Sequence, residues 1–249
     1  MKFSVIIPIY KCSNSLKELT ERLTSTLSIL SDNFEIIYVN DASPDNDWRI
    51  IVELSKKDKR IKGINLLRYF GQHNAIFLGL KYAKGDWIIV MDGDLQDLPE
   101  EIIKLYKKTE EDYDIVFAKR VNRKDKVLKK LFSKLFFKLL YFISNISHDY
   151  QIGNFGIYRK EVITSILKTK DNIIIFPILL HKSSFNKTTI DINHGARLEG
   201  KSSYNYKKLF IHAFEIFFTT NKYIILLGKY KKNEKTLCTI KNTTDNLNS

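Results

Sequence analysis

The sequence predicts an α/β fold, a mostly parallel sheet flanked by helices, with an amphipathic helix added at a membrane interface. Three observations predict it. Short apolar runs rich in Val and Ile recur through the first half, amphipathic helical segments separate them, and polar, largely acidic residues follow the runs directly. Continuous apolar strands are the mark of a sheet covered on both faces. In such sheets ligands bind beyond the carboxyl ends of the strands.

Taken in order, Phe3 to Ile9 reads as a buried first strand. Leu16, Leu19, Leu23, Leu27 and Leu30 recur at helical spacing. Phe34 to Val39 is a second strand and Trp48 to Leu54 a short helix. Ile61 to Leu67 is a third strand, followed by a helix over Asn74 to Tyr82. Trp87 to Met91 is a fourth strand, Glu100 to Lys108 a helix after Pro99, and Asp114 to Ala118 a fifth strand. The second half is less regular. Residues 124–143 carry Leu128, Leu131, Phe132, Leu135, Phe136, Leu139, Phe142 and Ile143 on one helical face, with Lys126, Lys130, Lys134 and Lys138 as a basic stripe beside it. A glycine-flanked segment spans Gly153 to Gly156. A helix near Glu161 to Leu167, an apolar run from Ile173 to Leu180 and a strand around Thr188 to Ile192 complete the expected elements. Residues 1–228 read as one domain, with a nucleotide-sugar half over 1–118 and an acceptor and membrane-interface half over 119–228. Residues 229–249 read as a frayed polar tail.

The 249 residues include 41 Lys and Arg against 28 Asp and Glu, a formal charge of +13. Such a charge invites a nucleic-acid partner. Residues 119–138, however, hold nine Lys or Arg against one acid, and residues 201–249 hold nine Lys against three. The remainder is close to neutral, and acids at the ligand edge repel a polyanion, so a basic nucleic-acid-binding protein is only the alternative reading. Cys12 and Cys238 alone support neither a disulfide framework nor a cysteine zinc site. No secretory signal is visible, and no run of about 18 apolar residues marks a bilayer span.

The chemistry is sought after the strands. Asp92-Gly93-Asp94 aims two carboxylates at one point, with Gly93 allowing close backbone approach. Hard oxygens suit Mg²⁺ or Mn²⁺, which bind through one or two carboxylates and substrate phosphates. Taken alone, the same triplet is equally a turn with local side-chain bonds. Asp41 and Asp45 flank Ser43-Pro44, where turn formation competes with recognition of a base or ribose.

Three blocks then stand in order: Val5 to Tyr10, Asn40 to Asp45, and Gly85 to Glu100 with Asp92-Gly93-Asp94-Leu95-Gln96-Asp97 at its centre. Together they resemble the family-2 inverting glycosyltransferases of GT-A fold, in the branch of dolichol-phosphate mannose synthase and the bacterial polyprenyl-phosphate glycosyltransferases. The resemblance covers roughly residues 3–220. It implies a nucleotide-diphosphate sugar donor, with Pro8 and Tyr10 lining the nucleoside pocket, Asp41 holding the base and Gln72 near the donor. Asp92 and Asp94 would hold Mg²⁺ or Mn²⁺, with Asp94 serving catalysis. Arg197, Gly200, Ser202 and Tyr204 resemble the loop that closes over the donor phosphates, with Ser203 where the family has Lys.

The resemblance further implies a membrane-borne acceptor, a polyprenyl phosphate or a lipid-linked sugar, in cell-surface glycan assembly. Arg120 matches the acceptor-phosphate arginine, assisted by Arg123. Asn154-Phe155-Gly156-Ile157 stands where this branch has Asp-Phe-Arg-Leu. A sugar-hydroxyl acceptor would need a general base, for which Asp97, His148, Asp149 and His194 are candidates. The expected location is peripheral, at the cytoplasmic face of the inner membrane, on anionic lipid. The reading leaves a homo-oligomer open, and with it a catalytically inactive scaffold that keeps the fold.

Overall fold

The computed structural model describes residues 1–120, 152–169, 175–193, 195 and 238–245. The first half alternates as expected: β1 (Phe3–Ile9), α1 (Leu16–Leu30), β2 (Phe34–Asn40), α2 (Asp47–Lys57), β3 (Ile61–Leu66), α3 (Gln72–Tyr82), β4 (Trp87–Val90), a turn of tight helix at Pro99–Glu101, α4 (Ile102–Thr109) and β5 (Ile115–Arg120). Then follow β6 (Ile152–Arg159), α5 (Lys160–Lys168), α6 (Phe176–Lys182), β7 (Lys187–Ile192) and β8 (Ile240–Thr243).

The strands form one eight-stranded sheet in the order β7-β5-β6-β4-β1-β2-β3-β8. β1 pairs in parallel with β2 and β4, β2 with β3, and β5 with β7. β6 and β8 run against their neighbours. The sheet is therefore mixed, and one expectation, that of a frayed tail, is corrected. Gly153 to Gly156 lie inside β6, wedged between β4 and β5. The tail read as frayed supplies β8, whose residues 240–243 cover the β3 edge.

Alternation along the buried strands builds two cores. Phe3, Val5, Ile7, Ile9, Ile36 and Tyr38 face α1, α2 and α4 with Leu16, Leu19, Leu23, Ile51 and Leu105. Ile6, Ile37, Val39 and Ile64 face α3, α5 and α6 with Ile76, Ile163 and Leu180. Covering both faces is what allows these strands to be apolar throughout. Among the described residues no helix is long and apolar enough to cross a membrane. The basic helix expected over 124–143 lies outside the described residues.

The opposite end of the sheet is tied by a buried charge. Glu35, fully buried, accepts from Ser4 Oγ at 2.6 Å, from Lys62 Nζ at 2.6 Å and from the Lys84 N–H at 2.8 Å. One carboxylate thus joins β1, β2, β3 and the turn before β4.

Candidate active site

At the carboxyl edge the chain must leave β4 without losing its aim. Ile6 turns its carbonyl to β4 and accepts the Met91 N–H at 3.2 Å. The next β1 residue directed that way is Pro8, which has no N–H to continue the ladder. Pairing accordingly ends at Ile6–Val90, and the chain after Met91 departs as the Asp92 loop. Pro8 itself is buried in β1 beside Val39. Its visible role is to end the ladder, where the resemblance implied contact with a nucleoside.

The loop is held from beneath. Ser15, at the start of α1, donates its hydroxyl to the Gly93 carbonyl at 2.6 Å. A Cβ on Gly93 would stand 2.6 Å from the Ile9 Cδ1, so a larger residue would have to displace the end of that side chain. Burial alternates along the loop: Met91, Gly93, Leu95 and Asp97 are buried, whereas Asp92, Asp94 and Gln96 are partly exposed. Lys11, Ala42 and Leu95, just beyond β1, β2 and β4, have positive φ of 59°, 50° and 61°. Strain of this kind, roughly 1 kcal/mol per residue, concentrates at functional edges.

Asp92 is restrained on both oxygens. Oδ1 accepts from Gln72 Nε2 at 2.7 Å, and Oδ2 lies 3.3 Å from Arg120 Nη2. Asp97, fully buried, accepts from Arg120 Nη2 at 2.8 Å and from the Asp92 N–H at 3.1 Å. Burial pushes the Asp97 carboxyl up from the ordinary carboxylate range, and the paired Arg120 guanidinium opposes that rise. Asp94 Oδ1 accepts the Gln96 N–H at 3.2 Å. Asp92 and Asp94 thus present hard oxygen donors from partly exposed positions on one loop, a set that fits Mg²⁺ or Mn²⁺ sharing substrate phosphates. Among the described residues no group of three or more His, Cys, Asp and Glu forms a closed metal cage.

Beside this cluster lies an aromatic ledge. Asp41 is buried and spends its oxygens on the loop after β3, accepting from the Phe70 N–H at 2.7 Å and the Gly71 N–H at 2.8 Å. Gly71 has φ of 92°, a conformation that favours glycine. Burial raises the Asp41 pKa, and the two N–H groups oppose that rise. The visible function of Asp41 is to fix a loop, where the resemblance implied a contact to the base. That loop carries Tyr69, 60% exposed, whose ring meets Tyr10, 39% exposed, edge-on at 5.1 Å.

The profile of Glycosyl transferase family 2 matches residues 4–167, well over half of the chain. The chain belongs to this family. It is 34% identical over 218 residues to the undecaprenyl-phosphate 4-deoxy-4-formamido-L-arabinose transferase of Shewanella sediminis. That match covers 86% of this chain and 65% of the relative, so the chain spans just under two thirds of that protein's length. Among solved structures, glucosyl-3-phosphoglycerate synthase from Mycobacterium tuberculosis with Mn²⁺, uridine diphosphate and phosphoglyceric acid aligns with a TM-score of 0.62 at 12% identity. The alignment covers 88% of this chain and 76% of that one. Mannosyl-3-phosphoglycerate synthase from Rubrobacter xylanophilus aligns at 0.61 and 12% identity, covering 95% and 78%. These two likenesses establish the GT-A-like fold alone.

In this family 2 chain the structure brings together Gln72, Asp92, Asp94, Asp97 and Arg120 at one edge, with Tyr10 and Asp41 at the adjoining strand ends. Arg197, Ser202, Arg123, His148, Asp149 and His194 lie outside the described residues. Sequence reasoning missed Tyr69. The available signal was an aromatic directly after a strand, in Arg68-Tyr69-Phe70, at the edge where ligands bind. Where a base stacks on an exposed aromatic, the contact is worth roughly 1–3 kcal/mol. Tyr69→Ala is expected to raise the donor KM about fivefold with kcat little changed, read from initial rates against donor concentration. An unchanged donor KM would remove Tyr69 from the site.

Proposed function

We propose that this family 2 chain transfers a sugar from a nucleoside-diphosphate sugar to a polyprenyl phosphate at a membrane surface. The observation that carries the reading is the pair of partly exposed carboxylates, Asp92 and Asp94, on one braced loop at the carboxyl edge of the sheet. The relative named for undecaprenyl phosphate supports the acceptor class.

The acceptor phosphate oxygen attacks the anomeric carbon as the bond to the diphosphate breaks, and the nucleoside diphosphate departs with the electron pair. The acceptor is already anionic, so no general base is required. This agrees with the burial of Asp97, both of whose oxygens are bonded. Asp92 and Asp94 would hold Mg²⁺ or Mn²⁺, which supplies positive charge to the departing diphosphate. Tyr10 and Tyr69 offer a face to the base, and Gln72 keeps Asp92 turned toward the groove.

The decisive test is a panel of nucleotide sugars incubated with the protein and membrane extract, followed by linkage analysis of the product. A sugar phosphodiester on a polyprenol is expected. Transfer only to a sugar hydroxyl would replace the acceptor assignment. Docking at the cytoplasmic face of the membrane is part of the proposal and rests on the sequence of residues 119–138. Lys130→Glu with Lys134→Glu is expected to weaken binding to phosphatidylglycerol vesicles by roughly thirtyfold or more, at about 1 kcal/mol for each lysine lost. Equal partitioning with the parent would remove that surface from the docking site.

A further inference from the structure

The guanidinium of Arg120 is enclosed. The residue is 9% exposed, and its Nη2 reaches Asp97 at 2.8 Å and Asp92 at 3.3 Å. Its Nε is buried with no hydrogen-bond partner among the described residues. On β6, a Cβ at Gly153 would stand 3.1 Å from the Arg120 Cζ and Nη2, so that wall is filled by the guanidinium. Behind it, a Cβ at Gly156 would stand 2.5 Å from the Tyr158 hydroxyl, which donates to the Asn154 carbonyl at 3.0 Å. On β6, Gly153 thus packs against Arg120 and Gly156 against Tyr158.

The pairing of Arg120 points the same way. The Nη2 group of the guanidinium is already shared between two carboxylates, Asp97 and Asp92, which turns it inward to the loop. The same pair grips Asp92 twice: Asp97 holds its backbone N–H and Arg120 its side chain. A carboxylate that must meet a cation in one orientation benefits from such outer restraint.

Resting on the proposed donor site, we infer that Arg120 and Asp97 form a buried strut that aims Asp92 at the donor diphosphate, with Arg120 a positioning residue that does not touch the acceptor. The strut acts through Asp92, so its loss is felt in metal and donor binding.

The test compares the parent with Arg120→Lys, Asp97→Asn and the double variant. Circular dichroism and thermal unfolding first establish that each is folded. Calorimetry then measures Mn²⁺ binding with whichever of UDP, GDP, dTDP and ADP binds the parent most tightly, and kinetics give separate donor and acceptor KM values. Each single variant is expected to weaken Mn²⁺–nucleotide binding and raise donor KM about tenfold, within the range for such outer partners. Acceptor KM should stay within twofold, and the double variant should be no worse than the poorer single one. If Arg120→Lys does not fold, Asp97→Asn carries the same readout. An acceptor KM raised tenfold with unchanged Mn²⁺–nucleotide affinity would overturn the strut and make Arg120 an acceptor contact, as would independent, additive losses. A parent that binds Mn²⁺ and nucleotide but transfers nothing to polyprenyl phosphate would sink the acceptor reading, and the binding arm would still judge the strut.

Discussion

Asp94→Ala is expected to lower kcat by roughly 10³-fold or more, about 4 kcal/mol of transition-state stabilisation. Thermal unfolding should shift by only a few degrees. Asp94 is partly exposed, and its Oδ1 accepts the Gln96 N–H within its own loop. The charge it brings to a departing diphosphate has no substitute on the same loop except Asp92, which is already bonded to Gln72 and Arg120. The check is a steady-state assay with Mn²⁺ titrated after EDTA treatment. Full activity of the variant, or a parent indifferent to EDTA and metal add-back, would remove the metal assignment.

Lys62→Met is expected to be the most destabilising of the surface-reachable changes, by about 3 kcal/mol. For a chain of this length that corresponds to a fall of roughly 6–12 °C in Tm. Lys62 is 26% exposed at its side chain, while Glu35 is fully buried, so the substitution strands a charge away from water. The pH dependence should reverse sign. In the parent, burial raises the Glu35 pKa, but Lys62, Ser4 and the Lys84 N–H outweigh it and the net shift is downward from 4.5. That stabilisation is present above the unfolded value and is lost as pH falls through the folded one. Without Lys62 the burial effect dominates, and the deficit of the variant should shrink as pH falls below about 5. Parallel stability curves for the two proteins across that range would refute the buried pair as the cause.

The fold was legible where burial is two-sided. Phe3–Ile9 and Phe34–Asn40 are apolar because helices cover both faces, and such runs can be read directly. β6 was not legible, because Gly153 and Gly156 interrupt its strand pattern. They are small because Arg120 and Tyr158 fill the space, a fact about residues 33 and two positions away respectively. β8 reads Ile-Lys-Asn-Thr within a polar tail, and an edge strand needs no apolar signature. At the site, Asp92 and Asp94 were legible from their place after an apolar strand. The burial of Asp97 was not, since an acid enters the interior only with a partner, and its partner is 23 residues distant. For Pro8 and Asp41 the resemblance suggested ligand contacts, whereas the geometry gives backbone duties: ending a ladder and fixing a loop.

The last strand bears on how the protein is made. The bond from the Gly63 N–H to Thr244 Oγ1 spans 181 residues, and the Leu67 N–H likewise waits for the Thr239 carbonyl. At roughly 5–20 residues per second on the ribosome, the β3 edge stands open for about 9–36 s after its own synthesis. An open edge is a template for pairing with other chains. The nascent chain therefore passes through a window of aggregation risk that closes only when residues 239–244 emerge.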